Sequence, residues 1–151
     1  MGLLCMPVGA AVGAWVALTA IGGGYGMFIA AAPIASLVAG TLAWWLMVAR
    51  SGSTRLWRAA LAGMLASILG HLLCWYLLML GSYLWATLTH QPTGPGGPPM
   101  NPLQALPAAA VFSAWSLLFV GWFTVPVGGL LGVLLLWVQS APPEIPKATK
   151  P

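Results

Sequence analysis

The stretch Arg50-Ser51-Gly52-Ser53-Thr54-Arg55-Leu56-Trp57-Arg58 decides how this chain folds. It holds three of the five cations and no acid, and it interrupts a sequence that is otherwise nearly free of charge. No Asp, Glu, Lys or Arg precedes Arg50, and none lies between Arg58 and Glu144. Each of these uncharged stretches can hold two segments of the roughly 18 or more apolar residues that cross a bilayer. The expected plan is two hydrophobic hairpins joined by one short polar link.

Composition points the same way. Of 151 residues, 60% are hydrophobic and 4% charged, and mean hydropathy is +0.94. Soluble domains carry about 25% charged residues, so these few charges cannot cover a water-facing surface. The net charge of +4 is not the clustered basic face of a nucleic-acid binder. Five cations shared between the link and a tail with Lys147 and Lys150 fit the cytoplasmic bias of Lys and Arg in membrane proteins. An even number of spans separates link from tail, which predicts both termini on the side of the link, N-in and C-in. No Lys or Arg precedes the first apolar run, so it reads as a retained span and not as a signal peptide.

Outward from the link, the fold class is all-α: a polytopic membrane protein of about four transmembrane helices in a small bundle. The expected spans are 3–21, 27–49, 59–89 and 105–138 within one transmembrane unit, 1–139, followed by a disordered cytoplasmic tail, 140–151. Two places compete for the first turn. One is the glycine-rich Gly22-Gly23-Gly24-Tyr25-Gly26, and the other is Pro33. The third span, at about 46 Å for 31 residues, exceeds the ~30 Å hydrocarbon core and must tilt, kink or project. Pro126 followed by Gly128, Gly129 and Gly132 predicts a kink in the fourth.

Lipid tails are as apolar as leucine, so helices in a membrane pair through close approach at small residues. The sequence has such rows at four-residue spacing: Gly9 and Gly13; Ala32, Ser36 and Gly40; Ala59, Gly63 and Ser67; Gly128 and Gly132. These are the expected helix-packing positions. Arg50, Arg55 and Arg58 are the expected contacts with lipid headgroups.

His71 continues the third row, deep in a span. An ionisable residue at such depth is a functional candidate by default, and Ser67, Cys74 and Trp75 share its helical face at i−4, i+3 and i+4. One reading makes His71 an interhelical hydrogen-bond partner. The other makes these four residues a cofactor site, with the imidazole ligating a haem or chlorin or donating to a quinone carbonyl. Phe112, Trp115, Phe119 and Trp122 form an aromatic stripe on the fourth span, either packed on neighbours or turned toward acyl chains.

The sequence carries no paired carboxylates, nucleophile motif, metal-ligand cluster or phosphate loop, and Glu144 is its one acid. An enzyme acting alone and an ion-coupled transporter are both disfavoured. The leading expectation is a non-catalytic subunit or assembly component of a larger membrane complex, packed against membrane lipids and against other subunits or itself. Its expected location is the bacterial cytoplasmic (inner) membrane. The alternatives are a haem-, pigment- or quinone-binding protein using His71, and a small pore or lipid-handling protein suggested by the interrupted fourth span.

Overall fold

The computed structural model describes residues 1–20, 25–52, 54–90 and 99–140, and among these there are helices and no strands. The helices are α1 (Gly2–Thr19), α2 (Phe28–Trp44), α3 (Leu56–Thr89), α4 (Pro102–Ser116) and α5 (Trp122–Ser140). A 3₁₀ turn (Tyr25–Met27) leads into α2, and a π turn (Trp45–Ala49) ends it. A second π turn (Leu117–Gly121) joins α4 to α5 without breaking the helical path. Four helices are thus long and apolar enough to cross a membrane: Gly2–Thr19, Tyr25–Ala49, Leu56–Thr89 and Pro102–Ser140.

Helix α1 ends at Thr19 with Ala20 extended, and Pro33 lies inside α2. Pro33 therefore does not mark the first turn; of the other candidate, Tyr25 and Gly26 lie in the 3₁₀ turn, and Gly22, Gly23 and Gly24 lie outside the described residues. Pro7, Pro33, Pro107 and Pro126 all sit within helices; membrane helices tolerate the missing N–H because neighbours and local adjustments satisfy the freed carbonyls. The fourth span departs from α geometry at Leu117–Gly121 and not at Pro126, where the α-helix is continuous. It also begins earlier than residue 105, at Pro102, because Asn101 caps it: its Oδ1 accepts from Gln104 N–H at 2.9 Å. The tail expected beyond residue 140 lies outside the described residues.

What holds the helices together is small. Among the described residues the buried apolar side chains are Ala31, Ala32, Ala35, Ala39 and Ala43 on α2, Ala59, Ala62 and Ala66 on α3, and Ala105 and Ala109 on α4, with only Val48, Leu78 and Leu136 larger. Large side chains point outward, as a bilayer solvent allows. Packing runs α1 on α2, α2 on α3, and α3 on both α4 and α5.

Two of these contacts bring backbones together. Between antiparallel α1 and α2, a Cβ on Gly9 would meet Ser36 Oγ and fall 2.7 Å from Ala32 O, one on Gly13 would strike Phe28 O, and one on Gly40 would lie 3.1 Å from the Gly2 Cα. Between antiparallel α3 and α5, a Cβ on Gly63 would strike Gly128 O, and one on Gly132 would strike Ala59 O. Glycine at these crossings lets the helices close to backbone contact, where van der Waals packing is densest.

Helices α3 and α4 outreach the first hairpin. At 1.5 Å per residue α3 is about 51 Å long and α1 about 27 Å. Met27, at the start of α2, approaches α3 at Gly81, where its Cε lies 2.7 Å from the position of a Cβ. The last two turns of α3 and the first turns of α4 therefore extend past Met27, at the start of α2. Ser82, Tyr83, Trp85, Thr87 and Thr89 populate that extension, a composition suited to the interface.

Candidate functional site

His71 is the polar centre of the helix packing. Its Nδ1 lies 2.8 Å from Ser116 Oγ and its Nε2 lies 3.1 Å from Thr124 Oγ1. Thr124 Oγ1 donates to Val120 O at 3.2 Å, so its proton is committed and it accepts from the imidazole. The network thereby assigns a neutral ring with Nε2–H donating to Thr124 and Nδ1 accepting from Ser116. One turn below, Ser67 Oγ donates to Thr124 O at 3.0 Å and to Gly63 O at 3.2 Å. These bonds tie α3 to both halves of the fourth span.

Ser116 and Thr124 are eight residues apart, which in a plain α-helix leaves them about 80° out of register at roughly 100° per residue. The intervening π turn accommodates the equivalent of one extra residue. Eight steps then act as seven, and i and i+7 share a face. The π turn is the reason both hydroxyls reach one imidazole.

Around this centre the four spans leave a half-open groove of about 1050 Å³, including the part open to the outside. Its floor is the α3 face carrying Ser67, His71, Cys74 and Trp75; α1 and α2 form one wall, and α5 with the second π turn forms the other. Gly70 also lines it, and a Cβ there would meet nothing within 4 Å. Among the described residues no charged side chain lines the groove. At the end nearer the α1–α2 turn it is bounded by aromatic rings: Trp75 meets Phe28 edge-on at 5.4 Å and stacks on Phe112 at 5.0 Å. That trio ties α2, α3 and α4 together.

The residues singled out by sequence separate into three places. Ser67, His71, Cys74 and Trp75 meet in the groove floor. The small rows meet in pairs, Gly9, Gly13, Ser36 and Gly40 at the α1–α2 crossing and Gly63, Ser67, Gly128 and Gly132 at the α3–α5 crossing. Arg50 and Arg58 stand at the opposite end from the α1–α2 turn, with their guanidinium carbons 5.9 Å and 5.5 Å from the Trp45 and Trp57 rings. Arg55 sits between them, at the start of α3, where its carbonyl accepts from Arg58 N–H at 3.1 Å.

The aromatic stripe divides. Phe112 packs on Trp75, whereas Trp115, Phe119 and Trp122 are 62%, 61% and 75% exposed. Sequence reasoning missed Ser116 and Thr124, since neither stands at an obvious spacing from the other or from His71. Among the described residues no three His, Cys, Asp or Glu side chains gather as a metal site.

The chain matches no family model, and comparison with curated proteins and with solved structures returns no significant similarity.

Proposed function

We propose that this protein is a non-catalytic integral membrane protein, a small helical subunit or assembly component of a larger membrane complex. The observation that carries the reading is how its polar chemistry is spent. His71 has both ring nitrogens engaged by hydroxyls of a neighbouring span, so it fastens helices where a catalytic or ligating imidazole would need a free nitrogen. The geometry therefore argues against axial ligation of a haem or chlorin at this residue, because Nε2 would have to leave Thr124.

The small-residue rows are consumed inside the chain and do not mark an outer interface. The outward-facing Trp115, Phe119 and Trp122 are the surface best suited to another membrane subunit or to lipid, since aromatic groups dominate contact energetics. Arg50 and Arg58, each set over a tryptophan ring, support placing the link at the cytoplasmic interface of an inner membrane, with both termini on that side. Native mass spectrometry after extraction in mild detergent tests the proposal: a defined complex with other chains or with copies of itself is expected, and a solitary monomer overturns it.

The half-open groove favours a second reading, in which the chain holds a lipid. Among the described residues its wall is uncharged and mostly apolar, the lining expected of a site for an apolar ligand.

A further inference from the structure

We infer that the groove seats one acyl chain of a membrane lipid from the leaflet on the side of the α1–α2 turn, with the lipid's ester carbonyl level with Trp75. This deepens the lipid-holding reading and is independent of membership in a complex. Length comes first. Along α1 the groove is lined from Cys5 to Val16, eleven steps or about 16 Å, and along the fourth span from Ser116 to Leu131, fifteen steps or about 22 Å, between half and all of a ~30 Å hydrocarbon layer.

Polarity comes second. The hydroxyls and the imidazole on the floor are already paired, and no charge lines the walls, so the lower groove offers a guest chain only packing. The exceptions are Trp15 and Trp75, toward the aromatic end: neither indole N–H donates to an acceptor among the described residues. Indole donors at that end and apolar walls beyond them match an ester carbonyl followed by a hydrocarbon chain. Gly70, with open space where a Cβ would stand, marks room for that chain beside α3.

The test uses the full chain in phosphatidylcholine vesicles doped with phosphatidylcholine carrying a diazirine either near the ester or near the chain terminus, with crosslinks mapped by peptide mass spectrometry. The expected result is terminus-proximal label on Val8 and Leu131 and ester-proximal label around Trp75. Groove sites should exceed the outward-facing Leu130 and Leu134 by about tenfold, the ratio that ~1.4 kcal/mol of preferential seating gives. Val12→Trp, which fills the groove from α1, should remove the groove label and leave that on Leu130 and Leu134. Leu131→Phe repeats the test from the opposite wall in case the first variant does not fold. Trp75→Phe should lower ester-proximal label about threefold, in keeping with one interhelical-strength hydrogen bond. Uniform labelling of groove and outer face overturns the inference alone, and labelling of neither overturns membrane immersion as well.

Discussion

Replacing Gly63 by alanine should destabilise the protein, although alanine is the better helix former. A Cβ on Gly63 would strike the Gly128 carbonyl oxygen and lie 2.5 Å from the carbonyl carbon, where carbon atoms sit comfortably at about 3.5–4.0 Å. The contact is backbone on both sides, so no side chain can swing away. Helices α3 and α5 must separate by about 1 Å, and a gap of that size forfeits up to half the dispersion attraction of the atoms along it.

The Ser67 Oγ bond to Thr124 O, now 3.0 Å, would lengthen beyond hydrogen-bonding range. Overpacking costs typically 1–3 kcal/mol, the lost bond adds about 0.6, and relief of glycine's helical penalty returns about 0.5–1. A net loss of about 1–3 kcal/mol is expected. Gly70→Ala is the matched control on the same helix, because its Cβ would enter open space; it should be neutral or stabilise by up to about 1 kcal/mol. Unfolding both variants with SDS in mixed micelles, followed by tryptophan fluorescence and circular dichroism, gives the comparison. A Gly63→Ala protein as stable as Gly70→Ala would refute the close backbone crossing.

His71→Ala and Thr124→Val, combined in a double-mutant cycle under the same assay, should couple by about 0.6 kcal/mol and no more than about 1.7; additive effects would mean the 3.1 Å bond is not made. Deleting Leu118 should be tolerated, because removing one residue converts the π turn to α and keeps Ser116 in phase with Thr124. Deleting Val125 should instead abolish stable folding, because it turns Gly128 and Gly132 about 100° away from α3; equal tolerance of the two deletions, read by monodisperse yield, would count against the register argument. Reporter fusions placed in the 50–58 link and after Pro151 should report the same, cytoplasmic face, and reports from opposite faces would overturn the span count.

The span count was legible because charge is so scarce here. Arg50 to Arg58 divides the sequence unambiguously, and each remaining half is too long for one helix and too apolar for water. The first turn was legible only as a choice, since Gly22–Gly26 and Pro33 both carry real breaking tendency; the fold resolves it through α2, which needs Ala31 and Ala32 as well as Ala35 on its packed side. Four-residue spacing located the small positions, but spacing on one helix cannot name the partner. Which glycine meets which carbonyl depends on the antiparallel offset of two chain segments, and that is fixed only when all four spans pack.

The hydroxyls around His71 were illegible for a different reason. Any search for groups on one helical face assumes 3.6 residues per turn, and on that assumption Thr124 belongs about 80° away from Ser116. The inserted residue at Leu117–Gly121 erases this difference, and it does so where an unpaired imidazole would otherwise sit among apolar neighbours. A buried polar group without a partner costs several kcal/mol in hydrocarbon, whereas a single π turn whose i→i+5 bonds remain satisfied costs little by comparison. The irregularity in the fourth span is therefore the means by which His71 is accommodated: with Thr124 and Ser116 brought into phase, its imidazole becomes a fastening between helices.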